Sequence, residues 1–183
     1  QYMDMYKESL ENKDAFWIEN AKKFVHWFSP FDESCVSGGS LKDGDVHWFM
    51  NGKLNVAYNC VDKHVMAGRG DQTAIIWEGD EPGTNKYISY LEMQQEVCRI
   101  ANIMKAAGVK KGDVVTIYMP MISDLAMVML ACCRIGAVHS IVFAGFSAES
   151  LRGRIDDCNS KWVFTSDEGR RGGRSLRLKD IVD

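Results

Sequence analysis

From residue 72 to residue 165 the chain alternates short apolar runs with amphipathic stretches of helical spacing, and nothing else in it constrains the fold as much. Thr73 to Trp77 (TAIIW) reads as a strand, Gly79 to Asn85 as a turn, and Lys86 to Ser89 as the start of a partner strand. Ser89-Tyr90-Leu91-Glu92 has the spacing of a capping box. The helix it opens buries Val97, Ile100, Ala101 and Met104, three and four apart, and Gly108 stops it. Val114 to Met119 (VVTIYM) is a near-continuous apolar run, as expected of a strand covered on both faces. A helix capped by Ser123-Asp124 then runs to about Ile135 and ends at Gly136. Val138 to Phe143 is the next strand, Ser147 caps a helix to about Cys158, and Trp162 to Thr165 is a further strand. Strands alternating with helices predict an α/β fold, with a mainly parallel sheet, flanking helices and right-handed crossovers.

Residues 1–65 are of another kind. They are irregular and rich in aromatics. Phe16, Trp17, Phe24, Trp27 and Phe28 suit one helix, with a turn at Ser29-Pro30, and Ser37-Gly38-Gly39-Ser40 reads as a loop. The segment lacks the periodicity for a core of its own. The expected organisation is an aromatic-rich N-terminal extension over 1–65, docking on the domain that follows, and the first portion of an α/β domain over 66–183. Leu176 to Asp183 has the pattern of another helix beginning, so the sheet domain is expected to continue beyond it.

Charge and composition exclude several classes of function. The net charge of −3 provides no global basic field for nucleic acid or an anionic membrane. The longest apolar run, Leu125 to Cys133, falls far short of the ~20 residues needed to span a bilayer. No signal peptide pattern precedes the first amphipathic stretch, although the chain begins at Gln1. Cys35, Cys60, Cys98, Cys132, Cys133 and Cys158 form no C-x-x-C pair and no zinc spacing with histidine. They read as reduced structural thiols, which points to a reducing, cytoplasmic compartment.

No phosphate-binding P-loop, dinucleotide fingerprint or nucleophile elbow is present. His26, His47, His64 and His139 are scattered, and the adjacent Asp156 and Asp157 point apart on a helix. No catalytic residue and no metal site is therefore expected within these residues. Two loops at the carboxyl ends of predicted strands do have ligand-binding chemistry. Gly169-Arg170-Arg171-Gly172-Gly173-Arg174-Ser175 combines glycines, which allow close backbone approach, with arginines, whose forks match phosphate oxygens. It reads either as a phosphate grip or as a solvated basic loop. Phe143-Ala144-Gly145-Phe146 offers small residues between aromatics. It suits the edge of a planar base, or a plain tight turn.

Several strings resemble the acetyl-CoA synthetases of the acyl-adenylate-forming superfamily. They include Gly52-Lys53-Leu54-Asn55-Val56-Ala57, Asn59-Cys60-Val61-Asp62-Lys63-His64 and Gly70-Asp71-Gln72-Thr73-Ala74-Ile75-Ile76-Trp77-Glu78-Gly79. Lys111-Gly112-Asp113-Val114-Val115, Arg134-Ile135-Gly136-Ala137-Val138-His139-Ser140, Phe143-Ala144-Gly145-Phe146-Ser147 and Thr165-Ser166-Asp167-Glu168-Gly169 continue the series. The resemblance runs from about Asp14 to the last residue. It implies the N-terminal part of an AMP-forming acetate–CoA ligase, in which acetate and Mg-ATP give acetyl-adenylate and pyrophosphate, and coenzyme A then gives acetyl-CoA and AMP. It also implies that Arg171, Gly172, Gly173 and Arg174 grip the phosphates of coenzyme A, and that Phe143, Ala144 and Gly145 form the wall beside its adenosine. Arg170 stands where the family usually has an uncharged residue. Ala144, where many bacterial members have glycine, leans towards a eukaryotic type, for which a nuclear pool would join the cytoplasmic one. The family's ATP loop, acetate pocket, magnesium carboxylate and mobile lysine lie outside these residues, so the chain alone is expected to be inactive. The implied partners are acetate, ATP, coenzyme A and the remainder of the same chain, with no nucleic acid or membrane. A stand-alone nucleotide-binding or interaction module, or a ligase for another short acid such as propionate, are the alternative readings.

Overall fold

The computed structural model describes residues 1–34 and 36–183. The chain divides into two compact units, Gln1–Asn55 and Val56–Asp183.

In the first unit, helices α1 (Tyr2–Glu11) and α2 (Lys13–Phe24) precede a hairpin of β1 (Ser37–Ser40) and β2 (Asp45–Trp48). Two expectations change here. The helix ends at Phe24, leaving Trp27 and Phe28 outside it. Ser37–Ser40 is a strand rather than a loop, because it pairs antiparallel with Asp45–Trp48. The unit also gathers a small core of Ala21, Phe31 and Val36, with Trp27 and Phe49 packed against it. The rings of Trp27 and Phe31 lie 4.9 Å apart and those of Phe31 and Phe49 5.0 Å apart. Phe49 stands 18 residues beyond Phe31, so no helical or strand period could announce this cluster.

The second unit opens with two wide helical turns, Tyr58–Asp62 and Val65–Arg69. Strands β3 (Thr73–Glu78) and β4 (Asn85–Ser89) form an antiparallel hairpin. Helix α3 (Tyr90–Ala107) follows, with the Ser89–Glu92 capping box present in both directions. Then come β5 (Val114–Met119), α4 (Ser123–Ile135), β6 (Val138–Phe143), α5 (Ala148–Asp157) and β7 (Trp162–Thr165). Ser147 caps α5 as expected, but Ser123 is already the first residue of α4 and makes no cap. Strands β5, β6 and β7 make a parallel sheet in the order β6-β5-β7.

Alternation along β5 explains the two layers. Val115, Ile117 and Met119 join the larger core, with α3 and α4. Tyr118 points the other way, into a core with Val142 of β6, Leu151 of α5 and Leu178. The chain leaves β5 to one side through α4 and returns past it through α5. Right-handed crossovers in opposite directions place those helices on opposite faces. The carboxyl end of β5 is therefore a topological switch point, where α/β sheets form their ligand crevices. The predicted α/β class and parallel sheet are observed.

After β7 the chain makes a second small hairpin, β8 (Gly169–Arg171) with β9 (Arg174–Leu176), and ends in α6 (Leu178–Val182). Among the described residues no helix is long and apolar enough to cross a membrane.

Candidate functional site

A cleft of about 620 Å³ opens beyond the carboxyl ends of β5, β6 and β7. Four chain segments wall it. The end of β3 and its loop supply Trp77 and Asp80, and the turn after β5 supplies Pro120. Phe143 and Ala144 come from the end of β6, and Glu168 to Arg171 come from the segment after β7.

Both loops singled out in the sequence thus reach one cleft. The Arg171 guanidinium sits over the Phe143 ring, 5.3 Å from its centroid. A cation over an aromatic face at this distance is attracted by the ring's quadrupole. Phe143 in turn lies 6.1 Å from Phe146. Arg154 of α5 covers Phe146 from 4.7 Å.

The basic segment is folded more tightly than a loop. Gly172 and Gly173 are the two central residues of a hairpin turn, at φ 56° and 72°. Successive left-handed residues suit the twist of a two-residue hairpin, and glycine takes that conformation without steric cost. Arg171 and Arg174 are the last paired residues before the turn and stand opposite each other. The turn amides of Gly172 and Gly173 donate to the Asp80 carboxylate, at 3.4 and 2.9 Å. The hairpin's root is set by close approach. A Cβ on Gly169 would stand 2.8 Å from Cβ of Pro120, so only glycine fits there.

Beneath the Phe143–Phe146 turn lies a residue that the sequence reading did not pick out. Tyr118 is fully buried in β5. Its hydroxyl donates to the Phe146 carbonyl at 2.8 Å and accepts from the Gly145 N–H at 3.2 Å. Gly145 itself stands at φ 103°. A buried phenol needs partners for its hydroxyl, and here the turn provides them and is held in place. A tyrosine in an otherwise aliphatic buried strand was the available signal. Trp77 was likewise read only as strand. Its indole N–H donates to the Met121 carbonyl at 2.8 Å and ties β3 to the turn after β5.

Of the expected site residues, Phe143, Ala144 and Arg171 line the cleft itself. Gly145, Gly172, Gly173 and Arg174 shape the two turns that border it. The cleft therefore sets the Arg171 guanidinium beside an aromatic, apolar wall, while the Gly172 and Gly173 amides at its border donate to Asp80. Among the described residues no three His, Cys, Asp or Glu side chains gather as a metal donor set. Cys60, Cys98, Cys132, Cys133 and Cys158 form no disulfide among the described residues. Cys35 lies outside the described residues.

Comparison with known proteins agrees with this architecture. Residues 62–182, more than half of the chain, match the family profile described as AMP-binding enzyme. Residues 2–60 match the one described as acetyl-coenzyme A synthetase N-terminus. Among curated relatives, the acetyl-coenzyme A synthetase of Syntrophobacter fumaroxidans is 58% identical over the whole of this chain, which covers 28% of that protein. The acetyl-coenzyme A synthetase of Vibrio cholerae is 54% identical with the same coverage. These relatives are bacterial and lend no support to the eukaryotic lean drawn from Ala144. Among solved structures, acetoacetyl-CoA synthetase from Streptomyces lividans superposes with a TM-score of 0.84 at 26% identity, over 96% of this chain and 26% of that one. The chain spans just over a quarter of the length of the relatives it matches. On its profile match and its parallel α/β core, it belongs to the AMP-binding enzyme family, and residues 2–60 ahead of that match are similar to the acetyl-coenzyme A synthetase N-terminus.

Proposed function

We propose that this chain is the N-terminal portion of an AMP-forming acetate–CoA ligase, with residues 1–65 as its N-terminal extension, and that its cleft holds coenzyme A. The observation that carries the site is the seat of Arg171 over Phe143. It joins the phosphate-gripping segment to the aromatic turn at the switch point of the sheet. The identity of 58% with an acetyl-coenzyme A synthetase across the full chain supports the acetate enzyme over a stand-alone module.

In the whole protein, acetate attacks Mg-ATP to give acetyl-adenylate and pyrophosphate. The thiol of coenzyme A then attacks the acyl carbon and releases AMP. Arg171 and Arg174 present forked donors to the phosphates of coenzyme A, the amides of Gly172 and Gly173 add short donors between them, and Phe143, Ala144 and Gly145 border its adenosine. No residue of this chain takes a catalytic role, so adenylation needs the rest of the protein. Acetate, ATP and coenzyme A are the partners, and the cytoplasm is the compartment, with a nuclear pool should the source be eukaryotic.

Arg171→Ala in the full-length protein tests this assignment. One charge-assisted hydrogen bond contributes roughly 1.5–3 kcal/mol, so the coenzyme A requirement should rise roughly 10- to 150-fold. Pyrophosphate exchange into ATP reports the first half-reaction and should be spared. An equal loss in both would remove the loop from coenzyme A binding.

A further inference from the structure

The Asp80 carboxylate sits where an anionic ligand of the β8–β9 hairpin would sit. Both amides that converge at the hairpin tip, those of Gly172 and Gly173, donate to it. Successive N–H groups in such a turn form a concave seat for anions. Arg171 and Arg174 flank that seat from opposite strands. Asp80 and Arg171 line the same cleft. Asp80 is brought there from another hairpin, since it lies on the loop between β3 and β4.

The geometry points to Asp80 as a built-in stand-in for a ligand phosphate: its carboxylate occupies the Gly172–Gly173 amides and gives way when a phosphate takes them. This rests on the coenzyme A reading of the hairpin. A phosphate monoester carries up to two charges and three acceptor oxygens, against one charge and two oxygens on the carboxylate. It therefore gains more from two amides in a turn bracketed by Arg171 and Arg174. The displaced carboxylate remains tethered close by, and its like charge weakens ligand binding. Asp80 thus satisfies the two amides whenever no phosphate does, and sets a threshold that weaker anions do not pass. The opposite role, a brace that the bound state needs, predicts the opposite sign on substitution.

Calorimetric titration of the full-length protein with coenzyme A distinguishes the two. Asp80→Asn and Asp80→Ser remove the charge by different side chains, so a folding defect in one leaves the other informative. Both should bind coenzyme A about two- to fivefold more tightly, the range expected for one exposed charge. Asp80→Glu keeps the charge and should stay near the parent affinity. Equal or weaker binding by both neutral variants overturns the stand-in role. Arg171→Ala separates this from the underlying reading. If it weakens coenzyme A binding while the neutral Asp80 variants do not strengthen it, the stand-in alone is wrong. If it leaves binding unchanged, the coenzyme A reading falls and the stand-in falls with it.

Discussion

The Arg171 guanidinium lies 5.3 Å from the centroid of the Phe143 ring, across 28 residues of chain. Phe143 ends β6 and Arg171 ends β8, so this contact joins the two turns that border the cleft. An exposed cation–π contact is worth about 0.5–1 kcal/mol. Phe143→Leu keeps an apolar side chain but removes the ring face. In the full-length protein it should weaken coenzyme A binding by about two- to fivefold. A double-mutant cycle with Arg171→Ala should show coupling of similar size, and strict additivity of the two changes would count against the seat.

Helix α3 begins at a reciprocal cap. The Ser89 hydroxyl accepts from the Glu92 N–H at 3.2 Å, and the Glu92 carboxylate accepts from the Ser89 N–H at 2.8 Å. The Ser89 backbone bond first, and its hydroxyl second, hold the Glu92 carboxyl below the usual glutamate range. A carboxyl lowered by folding contributes stability above its unfolded value and loses it as pH falls through its folded value. Ser89→Ala should cost roughly 1 kcal/mol near pH 7. The difference between parent and variant should shrink at a pH low enough to protonate Glu92 in the folded state as well. Urea melts at the two pH values test this, and a constant difference would rule out the reciprocal cap.

Asp62 is a tertiary tie. Its carboxylate accepts from Arg134 of α4 at 2.6 Å and from the Gln94 side chain of α3 at 2.8 Å. The Asp62 side chain is only 13% exposed and that of Arg134 23%. Removing one partner from such a pair leaves the other charge poorly compensated. Asp62→Ala should destabilise the α/β unit by roughly 2–4 kcal/mol. Asp62→Asn keeps an acceptor and should cost less. Denaturant unfolding would measure both, and a loss no larger than that of the exposed Asp157→Ala would contradict the tie.

The thiols should differ sharply in reactivity. Cys132 is fully buried in the larger core. Burial first, and the neighbouring Cys133 second, push its thiol up to about 11. At about pH 8 that leaves a thiolate fraction on the order of one in a thousand. Cys60 is exposed. Iodoacetamide followed by peptide mass mapping should label Cys60 in the native protein and Cys132 only after unfolding. Comparable native labelling of Cys132 would show that the core opens readily.

The elements of the second unit were legible because each rests on local chemistry. The apolar run of β5, the Ser89–Glu92 cap and the helix stops at Gly108 and Gly136 act within a few residues of themselves. The first unit was misread for the converse reason. Ser37–Ser40 becomes a strand only through its partner at Asp45–Trp48, and Phe31 becomes core only when Trp27 and Phe49 close on it. The Gly-Arg segment shows both sides of the division. Its residue types alone left a phosphate grip and a solvated basic loop both open, and its motifs with their neighbours marked the family. That Gly172 and Gly173 form a turn whose amides face Asp80, that Arg171 seats on Phe143, and that Tyr118 holds the turn beside it were decided by tertiary structure. These contacts join residues from 27 to 93 positions apart. Their geometry depends on how two hairpins and a parallel sheet pack together, a property that no local run of side chains encodes.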